Sequence, residues 1–252
     1  MYQAKKLFLL ISIPILLSCN ENSRTSEKEI AVHSHDLQFL REEIKKFPDS
    51  LALSQELIEA YRNNGEYDSA VAITKTLISK DTGNAYLWNV MATLTYEMGD
   101  TTQAIQALEK AVSIFPLPDY FVALGTVYAE TRNKNALGIA ETLLDQPDPN
   151  PNKADAYFIK GLYYNYSNNP KEAIPELDSA LKLNYTFMYA YREKAIALYD
   201  LRKYPEALST LRKAVTLQNG YDEGYYWMGK VYEKLNLKDS AILSYQIALL
   251  YD

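Results

Sequence analysis

Along most of this chain the apolar positions follow a helical period. From about residue 36 onward they recur at spacings of three and four within stretches of about 13 residues, as expected of amphipathic helices that bury one face. Polar turns interrupt these stretches: NNGEY at 63–67, EMGD at 97–100 and SNNP at 167–170. Gly, Asn and Pro in such clusters break helices. Asn169 followed by Pro170 predicts a side-chain cap with proline at the first helical position.

A longer period lies over the short one. Alanines stand at Ala70, Ala104, Ala173, Ala207 and Ala241, with steps of 34, 69, 34 and 34. A second small-residue series runs Ala92, Gly125, Gly161, Ala195 and Gly229. A third, Ala111, Ala180, Ala214 and Ala248, follows the first by seven residues. Small residues at a crossing let two helix axes approach to about 8–10 Å. Trp88, Tyr157 and Tyr191, with Leu108, Leu177 and Leu211, are expected to fill the space alongside. One such pair cannot bury its apolar face alone, so successive pairs must stack into a continuous core.

The last unit, DEGYYWMGKVYEKLNLKDSAILSYQIALLYD from Asp222, carries Tyr225, Met228, Gly229, Tyr232, Ala241, Tyr245 and Ala248 at fixed places. This pattern resembles the tetratricopeptide repeat. Five earlier units begin near Leu51, Ala85, Pro118, Ala154 and Met188, and Pro48 and Pro116 sit where that family ends its second helix. The resemblance covers about residues 36–252. It implies an all-α, right-handed superhelical solenoid of antiparallel helix pairs, about six repeats plus an N-terminal helix, with a concave face. One unit departs from the pattern. In TRNKNALGIAETLLDQ (131–146) the second helix slips by about one residue and carries Gly138, and DQPDPNPNK (145–153) alternates three prolines that forbid helix. A bend at 145–153 is expected, against the alternative of a rigid loop over an unbroken stack.

The first residues have a different character. MYQAKKLFLLISIPILLSC places Lys5 and Lys6 before an uncharged run at 7–17. Eleven residues are too few to span a bilayer, which takes roughly 20, and they suit the core of a secretory signal. Leu16, Leu17 and Ser18 before Cys19 resemble the lipobox of bacterial lipoproteins. That resemblance implies cleavage after residue 18 and a lipid on Cys19, with residues 19–35 as a polar flexible tether. Two or three acyl chains suffice for stable anchoring. Asn20 in place of Asp after the cysteine favours the outer membrane.

Composition narrows the function. The net charge is −6, or −8 without the first eighteen residues, so nothing basic remains to attract nucleic acid. Cys19 is the only cysteine, and His33 and His35 are the only histidines, both in the tether. Two histidines on such a segment make a poor metal site. The chain contains no Gly-rich phosphate loop and no GxSxG, HExxH or CxxC motif. Neither a catalytic constellation nor a cofactor is expected.

In the resembled family the concave face comes from the first helix of each unit. Carried over position by position, the partner groove comprises Arg62, Asn63, Tyr86, Asn89, Tyr96, Phe158, Asn165, Tyr166, Tyr189, Arg192, Tyr199 and Tyr226. Tyrosine, asparagine and arginine suit an extended peptide or a protein loop. The basic and asparagine pairs that clamp chaperone tails are absent, so that specificity does not transfer. At the C-terminal end, Leu243, Ile247 and Leu250 occupy outward positions that hold Ser209, Lys213 and Thr216 one unit earlier. With Ile242 and Leu249 they form an apolar stripe expected to meet a second copy or a partner. The reading is therefore a lipid-anchored envelope scaffold for protein–protein interaction, facing the periplasm from the outer membrane. A glycan- or peptide-binding module is the alternative, and an accessory subunit of outer-membrane protein assembly is a second.

Overall fold

The computed structural model describes residues 37–147 and 149–252. Cys19, both histidines, the signal-like segment and the tether lie outside the described residues. Among those described the chain is all-α, with thirteen helices and no strand. They are α1 (Leu37–Lys46), α2 (Leu51–Asn63), α3 (Tyr67–Lys80), α4 (Ala85–Glu97), α5 (Thr101–Ile114), α6 (Pro118–Glu130), α7 (Asn135–Leu144), α8 (Lys153–Tyr166), α9 (Pro170–Leu183), α10 (Met188–Asp200), α11 (Tyr204–Leu217), α12 (Asp222–Lys234) and α13 (Lys238–Tyr251). From α2 onward they form six pairs. Five of the six first helices begin at the residue the period predicts, and α8 begins one residue early.

The chain divides into two compact units at the boundary between Pro116 and Leu117. In the N-terminal unit, α1 packs on α2, α3 on both α2 and α4, and α5 on α4. Leu40, Leu57, Ile58, Tyr61 and Leu94 form a core there around Ala70. Ser50, Asn84 and Asp100 cap α2, α4 and α5, each accepting a backbone N–H from the third residue on, which satisfies donors the helix start leaves open.

In the C-terminal unit each second helix but the last lies against the first helix of its own pair and that of the next, and α13 lies against α12. Ala173, Ala207 and Ala241 are buried, as are Ala70 and Ala104 in the N-terminal unit. The second series explains itself by contact. A Cβ on Gly161 would lie 2.6 Å from the Leu177 side chain, and one on Gly229 would lie 2.5 Å from the Tyr245 ring, so only glycine permits those approaches. Tyr191, Leu108, Leu177 and Leu211 are buried as expected, whereas Trp88 and Tyr157 stay half-buried.

Every pair turns through one left-handed residue. It is Gly65 or Gly99 in the first two pairs and Arg132, Asn168, Arg202 or Asn236, all near φ 60°, in the rest. Asn169 does not cap α9 through its side chain, although Pro170 does open that helix; the proline removes one open N–H, and the Asn169 carbonyl accepts from the Glu172 and Ala173 N–H groups at 3.2 and 3.1 Å. The third pair is the irregular one. Its second helix, α7, has 10 residues where α9, α11 and α13 have 14. The proline-rich segment after it is held by Asn150, whose Nδ2 donates to the Leu143 carbonyl at 2.7 Å. Beyond it α8 packs against both α6 and α7. The segment expected to bend therefore lies inside the C-terminal unit, and the division between units falls elsewhere.

Candidate functional site

The first helices α6, α8, α10 and α12 stand side by side in the C-terminal unit, and seven of the twelve expected groove residues lie on this row. At its centre is a buried charge cluster. Arg192 on α10 is 5% exposed, with Glu193 and Glu223 at 3% each. Its Nη1 donates to both carboxylate oxygens of Glu223 at 2.8 and 2.7 Å, and its Nε donates to Glu193 Oε1 at 3.0 Å. Burial works against the Arg192 charge, and Glu193 and Glu223 outweigh it, holding the guanidinium above its ordinary pKa. Two carboxylates share one cation, so the cluster carries one surplus negative charge.

Neighbouring groups close around it. Tyr221 shares its hydroxyl proton between Glu223 Oε2 and the Met188 carbonyl, both at 3.3 Å. Asn165 on α8 donates through Nδ2 to the Glu193 carbonyl at 2.9 Å and to its Oε2 at 3.2 Å. The Asn165 Oδ1 is buried without a hydrogen-bond partner. Arg192 also lies over the Tyr189 ring, 5.2 Å from its centroid, a cation–π contact. The cluster thereby joins α8, α10 and α12 beneath the face.

Aromatic rings stand on the same helices, and of them Tyr189 lies directly over Arg192. Tyr166 is exposed, and Tyr189, Tyr199 and Tyr226 are half-buried. Tyr199 meets Trp227 edge-on at 5.8 Å, and Tyr226 lies 5.8 Å from Tyr245. The surrounding field is negative. Burial and then Glu193 and Glu130 raise the Tyr166 phenol, burial and then Glu193 raise the Asp200 carboxyl, and burial and then Asp119 push Asp155 up to about 6. Carboxylates contribute to every one of these shifts.

Three expected groove residues do not serve as contact surface. Phe158 is 0% exposed and packs on Phe187 at a centroid distance of 4.7 Å. Tyr96 is buried in the N-terminal unit. Arg192 is buried too, its donors spent on Glu193 and Glu223. In each case the first-helix position turns inward because neighbouring helices cover it. Arg62 is also engaged: it pairs bidentately with Glu97 of α4 at 2.8 and 2.6 Å and reaches Glu59 at 3.1 Å, tying α2 to α4. Asn63 is exposed, and Tyr86 and Asn89 are half-buried.

Sequence reasoning assigned no site role to Glu193, Glu223 or Tyr221. Their signal was an arginine at a first-helix position with one acid beside it and another 31 residues on, nearly one period away. It also missed a cleft of about 640 Å³ in the N-terminal unit, with Ile78, Trp88, Met91 and Ala107 among its lining residues beside Lys75, Gln103, Gln106 and Lys110. At the C-terminal end, Ile242, Leu243, Leu249 and Leu250 are exposed as expected, while Ile247 is half-buried. Among the described residues there is no cluster of three metal-ligating side chains, and no helix is long and apolar enough to cross a membrane.

Comparison with known proteins agrees with this architecture. The tetratricopeptide repeat pattern matches residues 85–116, 160–222 and 192–251. Tetratricopeptide repeat protein 1 of Schizosaccharomyces pombe is 24% identical over 68% of this chain, and the match spans only 18% of that protein. A tetratricopeptide repeat protein from Parabacteroides merdae superposes with a TM-score of 0.73 at 18% identity, covering 90% of this chain and 93% of the other. PilW, a widely conserved type IV pilus biogenesis factor, superposes with a TM-score of 0.62 at 18% identity over 77% of this chain and 89% of its own. A chain of the APC/C hetero-tetramer Cut9–Hcn1 gives 0.62 at 17% identity, over 87% of this chain and 44% of the other. The repeating small residues, the six helix pairs and these matches together show an all-α fold among the described residues, with residues 85–116 and 160–251 matching the tetratricopeptide repeat.

Proposed function

We propose that this protein is a scaffold that holds an extended segment of another protein along the first-helix face of its C-terminal unit. The observation that carries the reading is the set of tyrosines on α8, α10 and α12, of which Tyr189 lies over the buried Arg192–Glu193–Glu223 cluster and Tyr199 and Tyr226 are held by Trp227 and Tyr245. Rings held by such contacts lose little freedom when a partner arrives, so their contact area converts efficiently into affinity. The chemistry of the partner follows from the field. Arg192 is neutralised, Glu193 and Glu130 act on Tyr166, and Asp200 lies in the field of Glu193, so the face suits a segment with lysine or arginine between apolar residues. Binding is measured by titrating labelled basic, neutral and acidic peptides of equal length. The basic set binds most tightly, weakens with salt, and loses about tenfold in affinity with Tyr166→Ala plus Tyr226→Ala. Equal binding of all three sets, or no effect of the substitutions, contradicts the reading.

The scaffold is anchored, in this proposal, through lipid on Cys19 to the bacterial outer membrane and faces the periplasm. The lipobox-like run before Cys19 supports this. Mass spectrometry of the protein from its native membrane identifies a mature chain starting at acylated Cys19, and Cys19→Ala releases it to the soluble fraction. A second reading rests on the cleft beside Trp88, where an indole and the amides of Gln103 and Gln106 meet, a combination that suits a sugar. Oligosaccharides that raise the melting temperature of the wild type but not of Trp88→Ala would support it.

A further inference from the structure

The final helix, α13, can be laid in register on α9 and α11 at steps of 34 residues. Ile174, Leu208 and Ile242 then coincide, as do Leu181, Val215 and Leu249. On α11 this stripe is where the next first helix packs: Leu208 is 6% and Val215 9% exposed, in one core with Met228 and Val231 of α12. On α13 the residues are still apolar but uncovered, with Ile242 at 56% and Leu249 at 69%. The adjoining stripe changes character as well. Pro175, Ser179 and Lys182 of α9, and Ser209, Lys213 and Thr216 of α11, become Leu243, Ile247 and Leu250. Leu243 is 57% exposed and Leu250 76%. A helix that is apolar on almost every side is built to be covered on almost every side.

We infer that α13 pairs antiparallel with α13 of a second copy, about a two-fold axis that passes by Gln246. Three features select a second copy over another partner. The apolar pairs Ile242/Leu243 and Leu249/Leu250 flank exposed Gln246 nearly symmetrically. Reversal of the helix therefore sets Ile242 against Leu250 of the other copy and Leu243 against its Leu249. At the axis each Gln246 amide meets its own mate, and because the group carries both donor and acceptor, the two pair reciprocally. The arrangement also brings the Lys238 end of each helix toward the Asp252 end of the other, with opposed helix dipoles. The area is sufficient: the exposed apolar side chains offer on the order of 500 Å² per copy, so the pair buries about 1,000 Å², the lower bound of a specific interface.

The test uses the full chain with Cys19→Ser, so that an introduced thiol is the only one. Gln246→Cys, placed at the axis, forms a covalent dimer under mild oxidation at low concentration, in about tenfold higher yield than Ser209→Cys on α11. Adding Leu243→Glu plus Leu250→Glu reduces that yield to the Ser209→Cys level while helical circular dichroism and its melting curve are retained. Equal yields from Gln246→Cys and Ser209→Cys, or a Gln246→Cys dimer that survives the two glutamates, would overturn the inference. If the glutamates unfold the chain, Ile242→Gln plus Leu249→Gln serves in their place with the same readout.

Discussion

Arg192 shows what a single residue does in this molecule. A buried guanidinium held by two carboxylates gains little net stability over an apolar replacement of the whole group, but removing the cation leaves both carboxylates uncompensated, whereas neutralising one carboxylate leaves a balanced pair. The two kinds of change therefore differ. Arg192→Leu strands Glu193 and Glu223 and is expected to cost about 3–5 kcal/mol in urea unfolding. Glu223→Gln leaves one cation with one carboxylate and keeps acceptor capacity, so it is expected to cost less than about 1.5 kcal/mol. Equal costs would show that charge balance does not govern the cluster. The position was legible as a polar first-helix residue, but its direction was not, because the period places a side chain on a helix and the neighbouring helices decide whether it is covered. Phe158 and Tyr96 turned inward for the same reason.

Asp155 supplies a pH signature at the same scale. Burial pushes its carboxyl up to about 6, with Asp119 adding to the shift. The folded chain therefore binds this proton more tightly than the unfolded chain does. Its contribution is fully present below the unfolded value near 3.8 and is lost as pH rises through about 6. Between these limits stability should fall with rising pH by on the order of 1–2 kcal/mol from this group, allowing for its partial exposure. Asp155→Asn should remove that part of the slope in unfolding measured from pH 4 to 7. An unchanged slope would exclude it as the source.

Among the elements, the turn inside each helix pair is the most regular feature, and the sequence disguised it. Gly65 and Gly99 announce a left-handed residue, but Arg132 and Arg202 occupy the same conformation at φ 60° and 59°. A side chain there costs about 1–2 kcal/mol, partly offset by the extra freedom glycine has when unfolded. Arg132→Gly and Arg202→Gly are each expected to stabilise the fold by about 0.5–1 kcal/mol in urea unfolding. Destabilisation by either would mean that its side chain makes a contact worth more than the strain. The helices themselves were legible to within about a residue, because small residues at a fixed period leave no freedom in register. The shortened α7 was signalled by the slipped phase at 131–146, whereas the hold of Asn150 on the Leu143 carbonyl was not, since a loop asparagine has no periodic neighbour to betray it.

At the scale of the whole molecule, the repeat makes surface. Each pair is stable only through its neighbours, so in the C-terminal unit the first helices α6, α8, α10 and α12 form a row. In the proposed reading, what the row binds is decided by its exposed and half-buried tyrosines, Tyr166, Tyr189, Tyr199 and Tyr226. The cleft beside Trp88 was invisible in the sequence because three helices contribute to it and no single period connects them. The most direct measurement of the central claim is photo-crosslinking in intact cells, with a benzophenone side chain replacing Tyr166 or Tyr226 and, as control, Lys213 on second helix α11. The account predicts that the two tyrosine positions capture the same partner, through a lysine- or arginine-bearing segment, and that Lys213 does not. Capture from Lys213 alone, or of unrelated proteins from the two tyrosine positions, would contradict it.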